Sequence, residues 1–215
     1  MPFDRQRYES AHDDYEGNWK ATDIPLYRIC RDYPQHQNRG GVNAKLWLIG
    51  RTYATGIERK IRSDGTQGSS MTKLAQHLWE NHADVDGILR QVRVMNGVLD
   101  LTRLLQIISA HGKLVTLVQS IVRDRQSARS FASKYMHFHA PIVPIFDSVT
   151  NRVLTHEYHL SRCGSDIISE FEGDDVYGTY VQRFWELYKD ARSAGVHPSI
   201  KLLDNYLLAL GRAAR

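Results

Sequence analysis

Residues 128–148 read ARSFASKYMHFHAPIVPIFDS, and this stretch carries the strongest structural signal in the chain. Its first part has helical spacing, with Ser130, Lys134 and His137 along one stripe and aromatic residues along another. Two prolines then prevent the helix from continuing, so the apolar residues around them are expected to cross the core in an extended conformation. Asp147 stands where the next helix begins. The pattern predicts a helix, a buried crossing and a second helix.

Helical patterns dominate the chain beyond residue 68. Apolar residues recur three and four positions apart, with capping residues at the ends. Residues 44–50, AKLWLIG, are short enough to be either a strand or part of a buried helix. The sequence therefore predicts an all-α or nearly all-α protein, either a single globular unit over 1–215 or two lobes, 1–66 and 67–215. The predicted helices cover residues 69–82, 100–112, 113–125, 127–139, 147–156, 174–195 and 199–213, with Ser70, Ser127 and Asp147 as N-caps.

Composition excludes some classes of protein. Hydrophobic residues make up 42% of the chain and charged residues 24%, which is ordinary for a globular protein. No apolar run is long enough to span a bilayer, and residues 1–20 lack the features of a secretory signal, so we expect a cytoplasmic protein without a membrane role. Cys30 and Cys163 have no metal-binding spacing and are expected to be free thiols. The net charge of +4 slightly favours an anionic partner.

Polar residues within the apolar 128–148 stretch are the first candidates for a functional site. Each has a structural alternative: Asp147 as a helix cap, Lys134 with its ammonium at the surface, and His137 and His139 as hydrogen-bonded core residues. Their concentration in one short stretch favours a site, with Tyr135, His137 and His139 lining a substrate pocket. The sequence thus predicts that Lys134 and Asp147 face a shared cleft.

The stretch resembles the helix-hairpin-helix DNA glycosylases, including the oxoguanine glycosylases. In that family a proline-containing apolar crossing of the form V-P-V-D ends in a catalytic aspartate, and here it reads VPIFD, one residue longer. The resemblance implies a helix-hairpin-helix-like bundle that acts as a monomeric DNA glycosylase and AP lyase. It would excise a modified or damaged base from DNA without a cofactor. Asp147 would be the catalytic carboxylate and Lys134 the candidate nucleophile.

The hairpin loop departs from the family pattern. Where the family has a glycine-rich loop that binds a DNA phosphate, this chain reads VRDRQSARSFA and contains no glycine. The family's lysine position aligns with Ser130, so Lys134 lies one turn later. The resemblance then implies that phosphate binding falls to other side chains of the loop and helix, namely Arg125, Ser127, Arg129 and Ser130.

A second basic and aromatic segment follows residues 44–50. Arg51, Tyr53 and Arg59 could bind phosphates or stack on a base, or they could form an ordinary solvated face. They are the remaining candidate nucleic-acid contacts.

Two other functions remain open from the residues. One is a nucleic-acid-binding helical module without catalytic activity. The other is a metal-dependent nuclease that uses Asp147 with His137 and His139, or the pair His156 and His159. No compact zinc signature is present, so the sequence favours a site without a metal.

Overall fold

The computed structural model describes residues 3–53, 55–61, 69–95, 98–157 and 173–213. Within these residues the chain forms ten α-helices and no β-strand, which confirms the mostly helical fold class. A π-helical turn, Tyr15–Trp19, joins the first two helices, and a 3₁₀ helix, Ile57–Lys60, follows the third. The helices are α1 (Arg5–Asp14), α2 (Lys20–Asp32), α3 (Arg39–Thr52), α4 (Ser70–Glu80), α5 (His82–Arg93), α6 (Leu101–Gln119), α7 (Arg125–His139), α8 (Ser148–Glu157), α9 (Asp175–Ser193) and α10 (Ile200–Ala213).

Residues 44–50 lie inside α3, so the strand alternative is wrong for this segment. Val42, Leu46 and Ile49 recur at helical spacing and are completely buried. The helix begins after Asn38, whose side chain accepts a hydrogen bond from the backbone N–H of Gly41. Burial of this stripe explains why a short apolar run that could form a strand is helical here.

Helix α6 continues through Gly112, where the sequence predicted a helix end. A Cβ atom at position 112 would lie only 2.9 Å from the Cα of Gly173, which precedes α9. The glycine therefore reflects close packing between two segments and does not mark a C-terminus. As a result, the predicted helices 100–112 and 113–125 form one helix as far as Gln119.

Two predicted N-caps are displaced toward the N-terminus. Helix α7 is capped by Asp124, not Ser127, because the Asp124 carboxylate accepts from the N–H groups of both Gln126 and Ser127. Helix α4 is capped by Ser69, not Ser70. A carboxylate with two acceptor oxygens satisfies two free N–H groups at the start of α7, which a single hydroxyl cannot do as fully.

Helix α7 lies at the centre of the fold, in contact with α2, α3, α5, α6 and the 3₁₀ helix. Buried apolar residues from before residue 66 and after it belong to one continuous hydrophobic cluster. No helix in the described parts of the chain is both long and apolar enough to cross a bilayer.

Between α7 and α8 the chain turns at Pro141 and Ile142, which are exposed and half-buried, and then crosses the core. The predicted burial holds for Val143, Ile145 and Phe146 but not for Ile142. The backbone N–H of Phe146 donates to Ser133 Oγ on α7 at 3.0 Å, and Tyr177 on α9 donates its hydroxyl to the carbonyl of Pro144 at 2.7 Å. Tyr180 donates in the same way to the carbonyl of Ile145. Two helices thus fix the crossing and, with it, the position of Asp147.

Candidate active site

Lys134 and Asp147 meet at the wall of one cavity. The Lys134 Nζ atom lies 3.3 Å from Asp147 Oδ2 and donates a second hydrogen bond, 3.2 Å long, to the backbone carbonyl of Tyr53. The lysine side chain is 4% exposed, whereas the aspartate side chain is 30% exposed. Both residues line a cavity of about 290 Å³. The shared cleft expected from the sequence is therefore present, with a buried amine and a partly accessible carboxylate.

The two oxygens of Asp147 have different partners. Oδ1 accepts from the backbone N–H of Val149 at 2.8 Å, which caps the start of α8, while Oδ2 faces Lys134. The capping bond holds the carboxylate in position at a helix N-terminus, where negative charge is favoured. A structural role for one oxygen therefore leaves the second oxygen available to the cavity.

Tyr53 connects Lys134 to a neighbouring carboxylate. It is the C-cap residue of α3, so its carbonyl lies beyond the regular hydrogen bonding of the helix and can accept from Lys134. Its hydroxyl donates to Asp23 Oδ1 on α2 at 2.7 Å. Burial and the Asp23 charge raise the Tyr53 pKa well above its usual value, so the phenol remains a neutral donor.

A second lysine, Lys201, lines the same cavity. Lys201 Nζ lies 3.1 Å from Asp204 Oδ2, 3.3 Å from Asn205 Oδ1 and 3.8 Å from Asp23 Oδ2. The ammonium also lies 5.1 Å from the centre of the Tyr53 ring. Burial raises the pKa of Asp204, and the nearby Lys201 opposes that rise. We refer to Lys134, Asp147, Tyr53, Asp23, Lys201 and Asp204 as the cavity cluster.

Sequence reasoning missed Asp23 and Lys201. Asp204 was detectable as a charged residue in the apolar pattern of α10, and Lys201 precedes it by three residues on the same helix face. Asp23 gives no comparable local signal, because its partners Tyr53 and Lys201 are 30 and 178 positions away. Only the packing of α2 against α3 and α10 brings these groups together.

Trp19 and Arg212 line the outer part of the cavity. The Trp19 side chain is 47% exposed, yet its indole N–H donates to Asp14 Oδ2 at 3.2 Å and the Arg212 guanidinium lies 5.9 Å from the ring centre. Trp19 ends the π-helical turn between α1 and α2, a type of irregularity that is frequent at functional sites. The cavity thus has an accessible aromatic surface held in a defined orientation.

The predicted phosphate ligands of the α6–α7 region are mostly engaged within the protein. Arg129 is buried and its Nε donates to Asp174 Oδ1 at 2.7 Å, so its expected role as a phosphate ligand is corrected to a structural ion pair. Ser127 Oγ donates to Asp124, and Ser130 Oγ donates weakly to the carbonyl of Phe146 at 3.4 Å. Arg125 also contacts Asp174, at 3.5 Å, but its side chain is 54% exposed.

Arg51 and Arg59 are exposed and line a shallow depression beside the 3₁₀ helix, on the segment that continues from Tyr53. The Arg51 guanidinium stacks 4.4 Å from the centre of the Trp47 ring. A hydrogen bond from the Arg123 N–H to the Lys60 carbonyl, 2.8 Å long, joins this segment to the α6–α7 connection. The basic segment that carries Arg51, Arg59 and Lys60 is therefore fixed next to the α6–α7 connection, and we refer to these exposed residues as the basic surface.

The expected substrate-pocket residues Tyr135, His137 and His139 do not line the cavity, which corrects their predicted role. His137 is fully buried between the Tyr27 hydroxyl at 2.6 Å and the Val143 carbonyl at 2.8 Å. Tyr135 is fully buried and hydrogen bonds to His36. His139 contacts Arg93 at 2.7 Å. Helical rotation explains the error for Tyr135 and His139, which project from other faces of α7 than Lys134. His137 shares the stripe of Lys134 but lies about one turn further along the helix, where Tyr27 and Val143 cover it.

The predicted alternative of a histidine metal site has no support from the geometry. Among the described residues, no three His, Cys, Asp or Glu side chains are grouped as a metal ion would require. His156 is exposed on α8, and His159 and Cys163 lie outside the described residues. Cys30 is a buried free thiol, as expected.

No protein-family model, curated protein or solved structure matches the chain. The likeness to helix-hairpin-helix glycosylases therefore rests on the motif at residues 128–148 and on the chemistry of the residues that it places together.

Proposed function

We propose that the protein is a DNA glycosylase with AP-lyase activity, which removes a modified or damaged base by cleaving the N-glycosidic bond. The proposal depends on one observation: a buried lysine amine and a partly exposed carboxylate lie 3.3 Å apart in a cavity that opens to solvent. A glycosylase of this type needs both groups, together with space for an extruded base.

Each group has a defined chemical role in this proposal. Asp147 Oδ2 accepts a proton from the Lys134 ammonium, and the neutral amine attacks C1′ of the nucleotide. As the C1′–N bond breaks, the base leaves with the bonding electron pair and takes up the proton from Asp147. The regenerated carboxylate, fixed in place by its Val149 hydrogen bond, stabilises the positive charge on the sugar and the attached nitrogen. The nitrogen then passes a proton to the ring oxygen O4′ as the C1′–O4′ bond breaks, which gives a protonated Schiff base between Lys134 and C1′.

The basic surface beside the cavity provides the DNA contacts in this proposal. Arg51, Arg59 and Lys60 follow Tyr53 along the chain, and the hydrogen bond between Arg123 and Lys60 places the α6–α7 connection next to them. Exposed Arg and Lys side chains bind phosphates without reading sequence, so they would position the duplex while the cavity receives the base. The protein acts on DNA as a monomer in the cytoplasm.

Trapping with sodium borohydride tests the proposal directly. The reductant converts a lysine–sugar Schiff base into a stable covalent adduct with duplexes that contain an abasic site or an oxidised base. We expect wild-type protein to form the adduct and Lys134→Met to lose it, and peptide mapping should place the sugar on Lys134. Lys113→Ala, which changes an exposed lysine of α6, is the matched control and should form the adduct normally.

Other outcomes of the same experiment separate the alternatives. Binding of the duplex without cleavage or trapping would indicate a non-catalytic binding module. Strand cleavage that is unchanged in Lys134→Met but abolished by a chelator would indicate a metal-dependent nuclease. Either result would reject the lysine mechanism.

A further inference from the structure

Unsatisfied hydrogen-bonding groups are concentrated around the cavity. Asp23 Oδ2, Asp204 Oδ1 and Asn205 Nδ2 are buried and have no hydrogen-bond partner within the described part of the chain, and all three residues line the cavity. Asp23 and Asp204 are 3% and 1% exposed. A buried polar atom without a partner costs roughly 1–3 kcal/mol, so several around one cavity indicate that a ligand supplies the missing partners.

The charges in the inner part of the cavity do not balance. Three carboxylates, Asp23, Asp147 and Asp204, face two ammonium groups, Lys134 and Lys201. At the mouth, Asp14 and Arg212 contribute one charge of each sign. A phosphate or carboxylate ligand would increase the excess of negative charge, whereas a positively charged ligand would remove it.

Aromatic side chains near the cavity add to the preference for a planar cation. Tyr53 and Trp19 both line it. Lys201 lies over the Tyr53 ring and Arg212 over the Trp19 ring, while Trp19 remains 47% exposed and keeps open surface for a ligand. The electron-rich face of an aromatic ring attracts positive charge and also stacks on planar rings. The volume of about 290 Å³ lies at the lower limit of small-molecule sites, which span roughly 300–1,000 Å³. It suits one ring system.

We propose that the cavity is a binding subsite for a planar nitrogen heterocycle that carries a positive charge and N–H donors. Asp23 Oδ2 and Asp204 Oδ1 accept hydrogen bonds from the ring, Asn205 Nδ2 donates to a ring acceptor, and Trp19 covers its face at the mouth. The inference specifies the substrate class of the proposed glycosylase and rests on that function only for the statement that the ring is a nucleic-acid base. The acidic lining requires that the phosphates of such a ligand stay outside, on the basic surface.

Isomeric nucleosides that differ in charge provide the test. 1-Methyladenosine is cationic at neutral pH, whereas its isomer N6-methyladenosine is neutral. 3-Methylcytidine and 5-methylcytidine form a second pair of the same kind. Ligand-observed NMR and isothermal titration on the full chain at pH 7 measure binding, and the NMR spectra also report any release of base. We expect the cationic isomer of at least one pair to bind about tenfold or more tightly, equivalent to roughly 1.4 kcal/mol.

Variants of the two carboxylates assign the preference to the cavity. Asp23→Asn and Asp204→Asn keep the side-chain shape and remove the charge, so each should reduce the preference for the cation at least fivefold. Asp190→Asn, an exposed change on α9 outside the cavity lining, should leave it unchanged. If circular dichroism shows that one variant is unfolded, the other variant and the wild-type isomer ratios still decide the result.

The outcomes of this test are independent of the trapping experiment. Equal binding of the isomers, no detectable binding of any nucleoside, or a preference that persists in both Asn variants would overturn the subsite. A cation preference without any trapped adduct would leave the subsite standing and reject the glycosylase. A trapped adduct without a cation preference would support the glycosylase and reject the subsite.

Discussion

Two clusters of buried polar residues lie on different faces of α7. Comparing them distinguishes polar residues that are buried for structural reasons from polar residues that form a binding site. The closed cluster consists of His36, Lys45, Asp86, Arg93, Tyr135 and His139. His36 is at its centre, since its Nδ1 donates to Asp86 Oδ1 at 2.7 Å and its Nε2 accepts from the Tyr135 hydroxyl at 2.6 Å. Lys45 Nζ donates to the carbonyls of Tyr33 and Gln35 at 2.9 and 3.3 Å. The cavity cluster has five charged side chains against three in the closed cluster, and two of its carboxylates have an oxygen without a hydrogen-bond partner.

The difference lies in which groups lack partners and where those groups are. In the closed cluster, His139 Nε2 is the one buried atom without a partner among the described residues, and no member lines the cavity. In the cavity cluster, an oxygen of Asp23 and an oxygen of Asp204 are unsatisfied, and both residues face open volume. Burial of charge alone is therefore weak evidence for function, whereas buried carboxylate oxygens without a hydrogen-bond partner beside a cavity indicate a ligand.

The largest expected effect is on the rate of Schiff-base formation, which should depend on the cavity cluster and not on the closed cluster. Asp147→Asn removes the proton acceptor and the charge that stabilises the sugar cation, so we expect Schiff-base formation to slow by roughly 10²–10⁴-fold. Single-turnover trapping against time gives the rate. The matched change in the closed cluster, Asp86→Asn, should alter the rate by less than about threefold in protein that remains folded. Similar losses in both variants would contradict the assignment of catalysis to the cavity cluster.

Acid should destabilise the protein through buried histidines that lie outside the cavity lining. Burial lowers the pKa of His36 to about 4, of His111 to about 4 and of His137 to about 3. The unfolded chain binds protons below about pH 6.5 and the folded chain does not, so stability is fully present above that pH and is lost as the pH falls toward 4. Each such histidine costs about 1 kcal/mol per pH unit in this window.

Urea unfolding at pH 7, 6 and 5 measures this dependence. His36→Gln should reduce the slope of stability against pH, because one of the titrating groups in the closed cluster is removed. A free energy of unfolding that stays constant from pH 7 to pH 5 would show that these histidines bind protons equally well in both states.

The stability of the protein should be more sensitive to loss of a carboxylate in the closed cluster than in the cavity cluster. In the native protein, Asp86 accepts from the His36 ring and from the His36 backbone N–H at 3.2 Å. An asparagine has one acceptor oxygen and an NH₂ group that can only donate, so Asp86→Asn leaves one buried donor without an acceptor. We expect a loss of about 2 kcal/mol in the free energy of unfolding at pH 7, measured by urea titration.

The smallest change in the free energy of unfolding should come from the corresponding Asp-to-Asn substitution in the cavity cluster, Asp204→Asn. Burial raises the pKa of Asp204, which means that its charged form is less favourable in the folded protein than in the unfolded chain. Asp204→Asn removes that cost, although it also weakens the contact with Lys201, so we expect the stability to change by less than about 1 kcal/mol. A loss as large as that of Asp86→Asn would show that Asp204 is a structural group.

Local sequence patterns were sufficient to predict the positions of most helices. They failed where packing against distant segments determines whether or how far a helix extends. Apolar spacing placed α4, α7, α9 and α10 within a few residues, because each helix buries one face. The same patterns could not identify α3 as a helix or reveal that α6 continues through Gly112. Both outcomes depend on neighbours distant in sequence, such as Gly173 against Gly112.

The sequence by itself determined that residues 128–148 form a helix, a proline-limited crossing and an aspartate at the next helix start. Backbone restriction by proline and side-chain periodicity are local effects, and they also made Lys134 and Asp147 candidates for one site. Only the tertiary structure showed which polar neighbours join them. In the folded protein Tyr135, His137 and His139 lie in the core. Asp23 and Lys201, which belong to helices distant in sequence, line the cavity. The reason is physical: packing between helices decides which part of α7 meets the cavity and which buried charges share it, and that packing is not encoded in a single segment.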